Sequence, residues 1–440
     1  MTEQFTFGGD IVWKPSPEQI EHANLTKFMH LHNIKDFDEL MQKSTSDVAW
    51  FTDSVLKFLD IQFYEPYSKV VDLSEGIQFP KWCVDGKMNI VHNCVDKWAT
   101  VNGQRSAVIF EGEEGITRTL TYEQLSKEVN KTANALRSLS LGKGDAIGIF
   151  MPMTPEIVIA LLAIAKIGGI ILPLFSGYGA GAIVSRMNDA EAKVLFACDG
   201  AFRRGKPVEM KSIADEAAEQ IPTLKNMVVL KRTNQEIKMK DGRDIWWDEL
   251  FNKQNDSSET EKTNAEDPLM IIYTSGTTGK PKGALHTHCG FPIKAAQDMA
   301  FGTDVHQGDV IYWMTDMGWM MGPWLVFGSL ILGATMFLYD GAPDYPAPNR
   351  LWELAEKHKI NQMGVSPTLI RSLIPQGEEH FKKHNLSSLK CFASTGEPWN
   401  PDPWMWLFEK VGNKKIPIIN YSGGTEISGG IVMGNPLMPL

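Results

Sequence analysis

From about residue 101 onward, short apolar segments alternate with amphipathic ones, and this alternation constrains the fold more than any other feature. Apolar runs of strand length lie at 107–110, 146–150, 170–174, 194–197, 227–230 and 269–273. Helical patterns separate these runs, for example after Thr121 and around Ile183 and Ile213. Strands and helices that alternate at these lengths predict a mostly parallel sheet covered by helices on both faces.

Two helix starts are marked by their residue types. Thr121 and Gln124 have the spacing of a capping box. Thr154 followed by Pro155 has the pattern of an N-cap and a first helical residue. We therefore expect helices to begin directly after Thr121 and Thr154.

The length of the chain predicts more than one packed unit. With 440 residues, it exceeds the roughly 250–300 at which single cores stop growing. We expect residues 1–100 to form an irregular layer over the main body and 101–253 to form a first α/β subdomain. The polar stretch 254–267 predicts a solvent-exposed connector, and 268–440 a second α/β subdomain.

Composition argues against several functional classes. The formal net charge of −10 argues against nucleic acid or an anionic membrane as the main partner. The apolar stretch 157–175 contains Lys166 and Pro173, which favours a buried helix followed by a strand over a membrane span. No signal peptide is visible at the N-terminus. Five scattered cysteines without CxxC spacing predict reduced thiols in a cytoplasmic protein.

The most specific motif is the run YTSGTTGKPKG at 273–283, which directly follows an apolar strand. It contains three glycines, four Ser or Thr hydroxyls and two lysines. Glycines let backbone N–H groups approach a phosphate closely, hydroxyls donate further hydrogen bonds, and lysines neutralise charge. This chemistry suits a triphosphate better than it suits a surface turn.

A Walker-type loop does not fit this motif. It would need glycine at Thr274 and a hydroxyl residue where Pro281 follows the lysine. Pro281 also prevents an immediate helix start, so no phosphate site at a helix N-terminus is expected.

The segment 274–283 (TSGTTGKPKG) resembles the signature loop of adenylate-forming enzymes, which include acyl-CoA synthetases and peptide-synthetase adenylation domains. Further segments follow in the family's order at 315–319 (TDMGW), 366–371 (SPTLIR), 394–398 (STGEP) and 421–426 (YSGGTE). The resemblance implies an α/β fold with two stacked, mostly parallel sheets covered by helices. It also implies ATP, Mg²⁺ and coenzyme A as co-substrates and cofactor, with a small carboxylate as the acyl substrate.

The resemblance also implies site residues. Thr274, Lys282, Thr425 and Glu426 would carry the chemistry, and Glu426 would hold Mg²⁺. The implied nucleotide contacts are Ser275, Gly276, Thr277, Thr278, Gly279, Lys280, Gly396, Glu397, Pro398 and Tyr421.

Two other regions resemble the acetyl- and propionyl-CoA synthetases in particular. The stretch 81–96 (KWCVDGKMNIVHNCVD) resembles their N-terminal motif, and 175–178 (FSGY) matches one of their turns. Arg203, Arg204 and Lys206 lie where relatives bind the 3′-phosphate of coenzyme A. Such a cation cluster suits a phosphate, although a solvated charged loop stays open as the alternative.

The acyl pocket of the family would be bordered by Trp319, Met320, Met321, Thr395 and Gly423. Relatives specific for acetate have a tryptophan at the position of Gly423. Its loss predicts room for several methylenes, each worth about 0.8 kcal/mol when buried, and Met320 and Met321 could partly refill that space. We therefore expect an acid larger than acetate.

The family's body continues beyond Glu426 with a ribose-binding Asp and a C-terminal domain that carries the adenylation lysine. Because the sequence ends at 440, we expect a truncated chain that forms adenylate poorly. Two alternatives stay open: a catalytically impaired module that binds nucleotide or coenzyme A, and an adenylation domain for another acceptor. Homo-oligomerisation also stays open.

Overall fold

The computed structural model describes residues 10–274 and 281–440. Its strands are β1 Lys69–Asp72, β2 Lys81–Val84, β3 Ser106–Gly112, β4 Thr117–Thr121, β5 Ala146–Ile149, β6 Ile170–Pro173, β7 Val194–Cys198, β8 Gly200–Arg203, β9 Lys206–Glu209, β10 Asn226–Leu230, β11 Asp244–Trp246, β12 Pro268–Thr274, β13 Lys282–Thr287, β14 Val310–Trp313, β15 Thr335–Asp340, β16 Gln362–Gly364, β17 Cys391–Ser394, β18 Ile418–Gly424 and β19 Gly429–Met433.

The α-helices are α1 Pro17–His22, α2 Asn24–Leu31, α3 Phe37–Ser46, α4 Val48–Phe58, α5 Lys97–Asn102, α6 Tyr122–Ser138, α7 Pro155–Lys166, α8 Ala180–Asp189, α9 Lys211–Ala218, α10 Trp247–Phe251, α11 Phe291–Phe301, α12 Met321–Ile331, α13 Arg350–Lys357, α14 Pro367–Leu373, α15 Glu379–Lys382 and α16 Pro401–Trp406. Single π-helical turns lie at His92–Asp96 and Leu407–Val411, and 3₁₀ turns at Ile374–Gln376 and Thr425–Ile427.

Two mostly parallel sheets form the body, as predicted. One has the strand order β11-β10-β7-β5-β6-β12-β13, and only its last pair is antiparallel. The other has the order β19-β18-β17-β16-β14-β15-β3-β4, with an antiparallel strand at each edge. Parallel strands need crossover connections, and helices supply them.

Helices α7 and α12 are buried along their whole length. Helix α7 contacts β5 and β6 of one sheet and β3 of the other, so it lies between the sheets. This confirms the prediction of a buried helix and strand at 157–175. Within residues 10–274 and 281–440, no helix is long and apolar enough to cross a membrane.

Both predicted helix starts are confirmed, with one difference. Thr121 and Gln124 form the capping box at the start of α6. Thr154 stands at the N-cap of α7 with Pro155 after it, but its hydroxyl is buried and makes no capping hydrogen bond.

The sheets exchange strands across the boundary that the sequence predicted between subdomains. Strand β3 pairs with β15 and β4 pairs with β3, while β12 and β13 extend the sheet that contains β5 and β6. The predicted solvent-exposed connector at 254–267 is wrong in part, because Thr263 is fully buried and bonds to the backbone of Met88. The subdomain limits stay a prediction.

The prediction of an irregular layer at 1–100 is wrong for residues 17–58, which form helices α1 to α4. Ser16, Asp36 and Asp47 cap three of these helices through their side chains. Phe28 is buried and packs edge-on against Phe58 with ring centroids 5.7 Å apart. The helices are short, so each shows too few turns for a clear periodic pattern.

A buried ionic network joins β3 to α13. The Glu111 carboxylate, whose side chain is 1% exposed, accepts hydrogen bonds from Arg350 at 2.7 Å and from His358 at 2.5 Å, and lies 2.8 Å from Lys357. Burial by itself would raise the pKa of Glu111, but the hydrogen bonds from His358, Lys357 and Arg350 lower it to about 2. The charge of Glu111 is therefore retained at neutral pH.

Replacing this buried carboxylate should destabilise the fold strongly. We expect Glu111→Gln to lower the free energy of unfolding by about 3–5 kcal/mol, because it leaves the buried Arg350 charge uncompensated. Urea unfolding measures the change. The matched control is Glu353→Gln, which removes a carboxylate 3.3 Å from Arg350 that is 45% exposed, and should cost less than about 1 kcal/mol. Equal effects of the two substitutions would contradict the assigned role.

The same network predicts a pH dependence. The pKa of Glu111 is lower in the folded chain than its ordinary value of 4.5, so the unfolded chain binds the proton first on acidification. Stability from Glu111 is complete above about pH 4.5 and is lost as the pH falls toward 2. We expect the melting temperature of the wild type to fall more steeply between pH 5 and pH 3 than that of Glu111→Gln. Parallel curves would contradict the prediction.

Candidate active site

The predicted site segments follow the carboxyl ends of neighbouring parallel strands. Strands β16, β17 and β18 end at Gly364, Ser394 and Gly424, and the segments 366–371, 394–398 and 425–426 come at or after these ends. Because these ends share one edge of a sheet, the segments meet there. A cavity of about 800 Å³ lies at this edge. Its lining includes Thr395, Gly396, Glu397, Pro398, Tyr421 and Gly423.

The end of β12 reaches Glu426 from the other sheet. The Thr274 hydroxyl donates a hydrogen bond of 3.2 Å to Oε1 of Glu426. Lys282 is the register partner of Thr274 across the β12–β13 pair, and both Lys282 and Glu426 are exposed. The structure therefore brings together Thr274, Lys282 and Glu426, with Thr425 beside them. Ser275, Gly276, Thr277, Thr278, Gly279 and Lys280 lie outside the described residues.

Strand β13 begins at Lys282, one residue after Pro281. The prediction that no helix follows the phosphate loop is therefore confirmed. A phosphate at this loop would meet hydroxyl and lysine side chains, not the positive end of a helix dipole.

Glu397 is held in place by the segment at 366–371. Its carboxylate accepts hydrogen bonds from the Thr368 N–H at 2.8 Å and from Arg371 Nη2 at 2.6 Å. The bonds from Thr368 and Arg371 lower the pKa of Glu397. By holding Glu397, which lines the cavity, Arg371 fixes part of the cavity wall.

The turn that carries Glu426 is anchored on a second side by His286, a residue that sequence reasoning missed. His286 Nδ1 lies 3.0 Å from the Ser428 hydroxyl, and the imidazole is buried. Burial lowers the pKa of His286 to about 4, although the nearby Glu426 carboxylate acts in the opposite direction. The imidazole is therefore neutral at pH 7, and it contributes no positive charge near Glu426.

Two more residues near the site were missed. Asn420 lines the same cavity as Gly396 to Pro398. Asp298 accepts a hydrogen bond of 3.0 Å from the Tyr421 hydroxyl. Tyr421 lines the cavity, and its hydroxyl is already bonded to Asp298. A sequence signal existed for Asp298, because it follows Lys294 by four residues within a mostly apolar segment.

A second cavity of about 680 Å³ lies beside Trp319 and Arg203. Trp319 is 53% exposed and packs on Phe175, with ring centroids 5.4 Å apart. Beneath it, buried Asp316 accepts hydrogen bonds from the Ser176 hydroxyl at 2.6 Å and the Gly318 N–H at 2.9 Å. Burial raises the pKa of Asp316 despite these bonds. The cavity has an aromatic rim and a buried acidic floor.

The predicted cation cluster lies on the β8–β9 hairpin at this second cavity. Arg203 donates to Asp340 at 2.8 Å, and Arg204 donates to both carboxylate oxygens of Asp344 at 2.9 Å. Lys206 is exposed and is the register partner of Arg203. Two of the three cations are therefore already paired with carboxylates. The structure leaves open both a phosphate site and a solvated charged loop.

Two of the predicted acyl-pocket residues line neither cavity. Met321 is buried at the start of α12, and Met320 precedes it as the half-buried N-cap. The reasoning about Gly423 also needs correction. A Cβ atom at Gly423 would collide with the carbonyl oxygen of Gly429 on β19. Backbone atoms of β19 occupy the space into which a side chain at 423 would point. This glycine therefore does not by itself enlarge the cavity.

Comparison with known proteins agrees with the fold and identifies the family. The family model for AMP-binding enzymes matches residues 95–439, and the model for the acetyl-coenzyme A synthetase N-terminus matches 37–94. An acetyl-coenzyme A synthetase of Methanothrix thermoacetophila is 41% identical over 96% of this chain and 64% of its own length. One from Escherichia coli is 37% identical over 92% of this chain and 63% of its own length.

A solved structure, the acetoacetyl-CoA synthetase from Streptomyces lividans, superposes with a TM-score of 0.91 at 27% identity, over 98% of this chain and 67% of that one. The chain spans less than two thirds of the length of the curated relatives described above. The matches place both the phosphate-loop strands and the Glu426 turn inside the AMP-binding region. The chain belongs to the AMP-binding family of adenylate-forming enzymes, with the N-terminal region of the acetyl-CoA synthetases.

Proposed function

We propose that this chain supplies the nucleotide-binding site of an AMP-forming acyl-CoA synthetase. In the first step, a carboxylate attacks the α-phosphorus of ATP, which forms an acyl-adenylate and releases pyrophosphate. In the second, the thiolate of coenzyme A attacks the acyl carbon and displaces AMP. The observation that carries the proposal is the hydrogen bond between Thr274, at the end of the strand before the phosphate loop, and Glu426, in the turn after β18.

The residues suit a reaction that needs charge neutralisation more than proton transfer. A carboxylic acid has a pKa near 4, so the nucleophile is already ionised at pH 7 and needs no general base. The difficulty is to bring that anion to a polyphosphate. Lys282 and the hydroxyl of Thr274 stand where they can stabilise the phosphate charge. The cavity walls at Gly396 to Pro398 would orient the nucleotide.

The residues near Glu426 fit a magnesium ion that nucleotide phosphates help to hold. In the part of the chain that the structure describes, no group of three His, Cys, Asp or Glu side chains is arranged to hold a metal. Mg²⁺ usually binds through one or two carboxylates together with substrate phosphates and water. Exposed Glu426 offers one such carboxylate. The bound ion would neutralise charge on the phosphate oxygens.

The second cavity is our proposed entry for coenzyme A. Its aromatic rim at Trp319 suits the thiol-bearing arm, and Arg203, Arg204 and Lys206 suit a phosphate at the mouth. A phosphate there would share Arg203 with Asp340 and Arg204 with Asp344.

We also propose the subdomain limits 101–253 and 268–440. We further propose a cytoplasmic location, which the five free, buried cysteines support.

The size of the acid is a separate proposal. We propose an acid larger than acetate. Support comes from the likeness to the acetoacetyl-CoA synthetase from Streptomyces lividans, whose name gives an acid larger than acetate. The sequence relatives described above bear the name acetyl-coenzyme A synthetase and favour the smaller acid.

Removing the charge of Glu426 should weaken nucleotide binding only when Mg²⁺ is present. By calorimetry, we expect Glu426→Gln to raise the Kd for ATP about tenfold in Mg²⁺, which corresponds to about 1.4 kcal/mol, and to change it little in EDTA. Lys282→Ala should weaken binding in both conditions, because it removes a positive charge. The control Glu219→Gln alters an exposed carboxylate at the C-cap of α9. No binding of ATP by the wild type would contradict the proposed function.

A panel of acids tests the substrate. We expect acid-dependent exchange between ATP and pyrophosphate to give a higher kcat/KM for propionate, butyrate or acetoacetate than for acetate, in line with the likeness to an acetoacetyl-CoA synthetase. The ratio between acids is the measurement, so a slow absolute rate does not affect it. Acetate as the best substrate would refute the larger acid while leaving the ligase reaction intact.

A further inference from the structure

We propose that Asp298 is a positioning residue for Glu426, which it serves by holding the β18–β19 hairpin against helix α11. This inference rests on the proposed function, because it assigns Asp298 a role in binding the magnesium nucleotide. Asp298 lies on α11 and is buried. It would not touch the nucleotide or the ion, and would act through the hairpin alone.

One carboxylate oxygen of Asp298 connects both strands of the hairpin. Oδ2 accepts a hydrogen bond of 3.0 Å from the Tyr421 hydroxyl on β18 and one of 3.1 Å from the Gly430 N–H on β19. Thr425 and Glu426 lie in the turn between these two strands. A single side chain therefore fixes the two ends of the segment that carries the proposed magnesium ligand.

The opposite oxygen of Asp298 is held by its own helix. Lys294, four residues earlier on α11, donates to Oδ1. Burial and the Asp298 carboxylate raise the pKa of Tyr421, so the phenol stays protonated and remains a donor. Both oxygens of this buried acid are thus occupied, and its orientation is defined.

The hairpin backbone is shaped to reach Asp298. A Cβ atom at Gly429 would lie against Asp298 Oδ2 and the Lys294 side chain. Glycine at this position lets β19 approach α11 closely enough for the neighbouring Gly430 N–H to reach the carboxylate. A larger residue there would push the hairpin away from its anchor.

The hairpin depends on such anchors because β19 is an edge strand. It pairs with β18 on one side, and Ile431 and Val432 are 76% and 67% exposed. Among the described residues, further side-chain hydrogen bonds to the turn join Thr274 with Glu426 and His286 with Ser428. Asp298 is the anchor that contacts both strands, so its loss should loosen the position of the Glu426 carboxylate.

Nucleotide binding and amide exchange together test this role. We expect Asp298→Ala to raise the Kd for ATP about tenfold in Mg²⁺ and less than about twofold in EDTA. Asp298→Asn keeps an oxygen that can accept from Tyr421 and Gly430, so it should restore most of the affinity. Tyr421→Phe, which removes one of the two bonds, should give an intermediate loss. Independently of ligand, Asp298→Ala should speed hydrogen exchange at 424–430 and leave 268–274 unchanged.

The matched control is Asp309→Ala. Asp309 is equally buried and bonds Lys390 at 2.6 Å, but it precedes β14 at the amino end of the strands. Equal loss of affinity with and without Mg²⁺, the same pattern in Asp309→Ala, or unchanged exchange at 424–430 would overturn the positioning role. If wild-type chain binds no ATP, the proposed function fails, and the exchange experiment still decides whether Asp298 holds the hairpin.

Discussion

The hydrogen bond between Thr274 and Glu426 joins the two halves of the site. Thr274 ends a strand of one sheet, and Glu426 follows a strand of the other, 152 residues later in the chain. Their contact requires both sheets to present these ends at one place. The phosphate-loop strands would otherwise stand apart from the cavity at Gly396 to Pro398. The proposed chemistry depends on this meeting, because lysine, hydroxyl and carboxylate must act on one polyphosphate.

Burial of apolar side chains between the two sheets holds the sheets together. Helix α7 is covered along its whole length and contacts both sheets. Its apolar side chains leave water only if the sheets close over it, which stabilises the stacked arrangement. Strand exchange adds to this, since β3 and β4 join the sheet that contains β14 to β19. The site is therefore built on rigid elements, which suits a reaction that relies on orientation.

Fine adjustment of the site depends on residues that hold the nucleotide-site segments in place. His286 and Asp298 hold the turn that carries Glu426, and Arg371 holds Glu397. His286 and Asp298 are buried, and the turn that they hold carries the exposed Glu426. An exposed carboxylate has many rotamers, and holding its backbone limits the positions from which it can bind an ion.

The sequence by itself determined the alternation of strands and helices, the capping box at Thr121 and the buried segment at 157–175, since these follow from local periodicity and residue chemistry. Only the tertiary structure decided which strands share a sheet, because pairing depends on long-range burial that no local pattern records. It also decided that Gly423 faces the backbone of β19 and that Asp298 reaches Tyr421. Such contacts join residues far apart in the chain, so their physical cause appears only once the chain is folded.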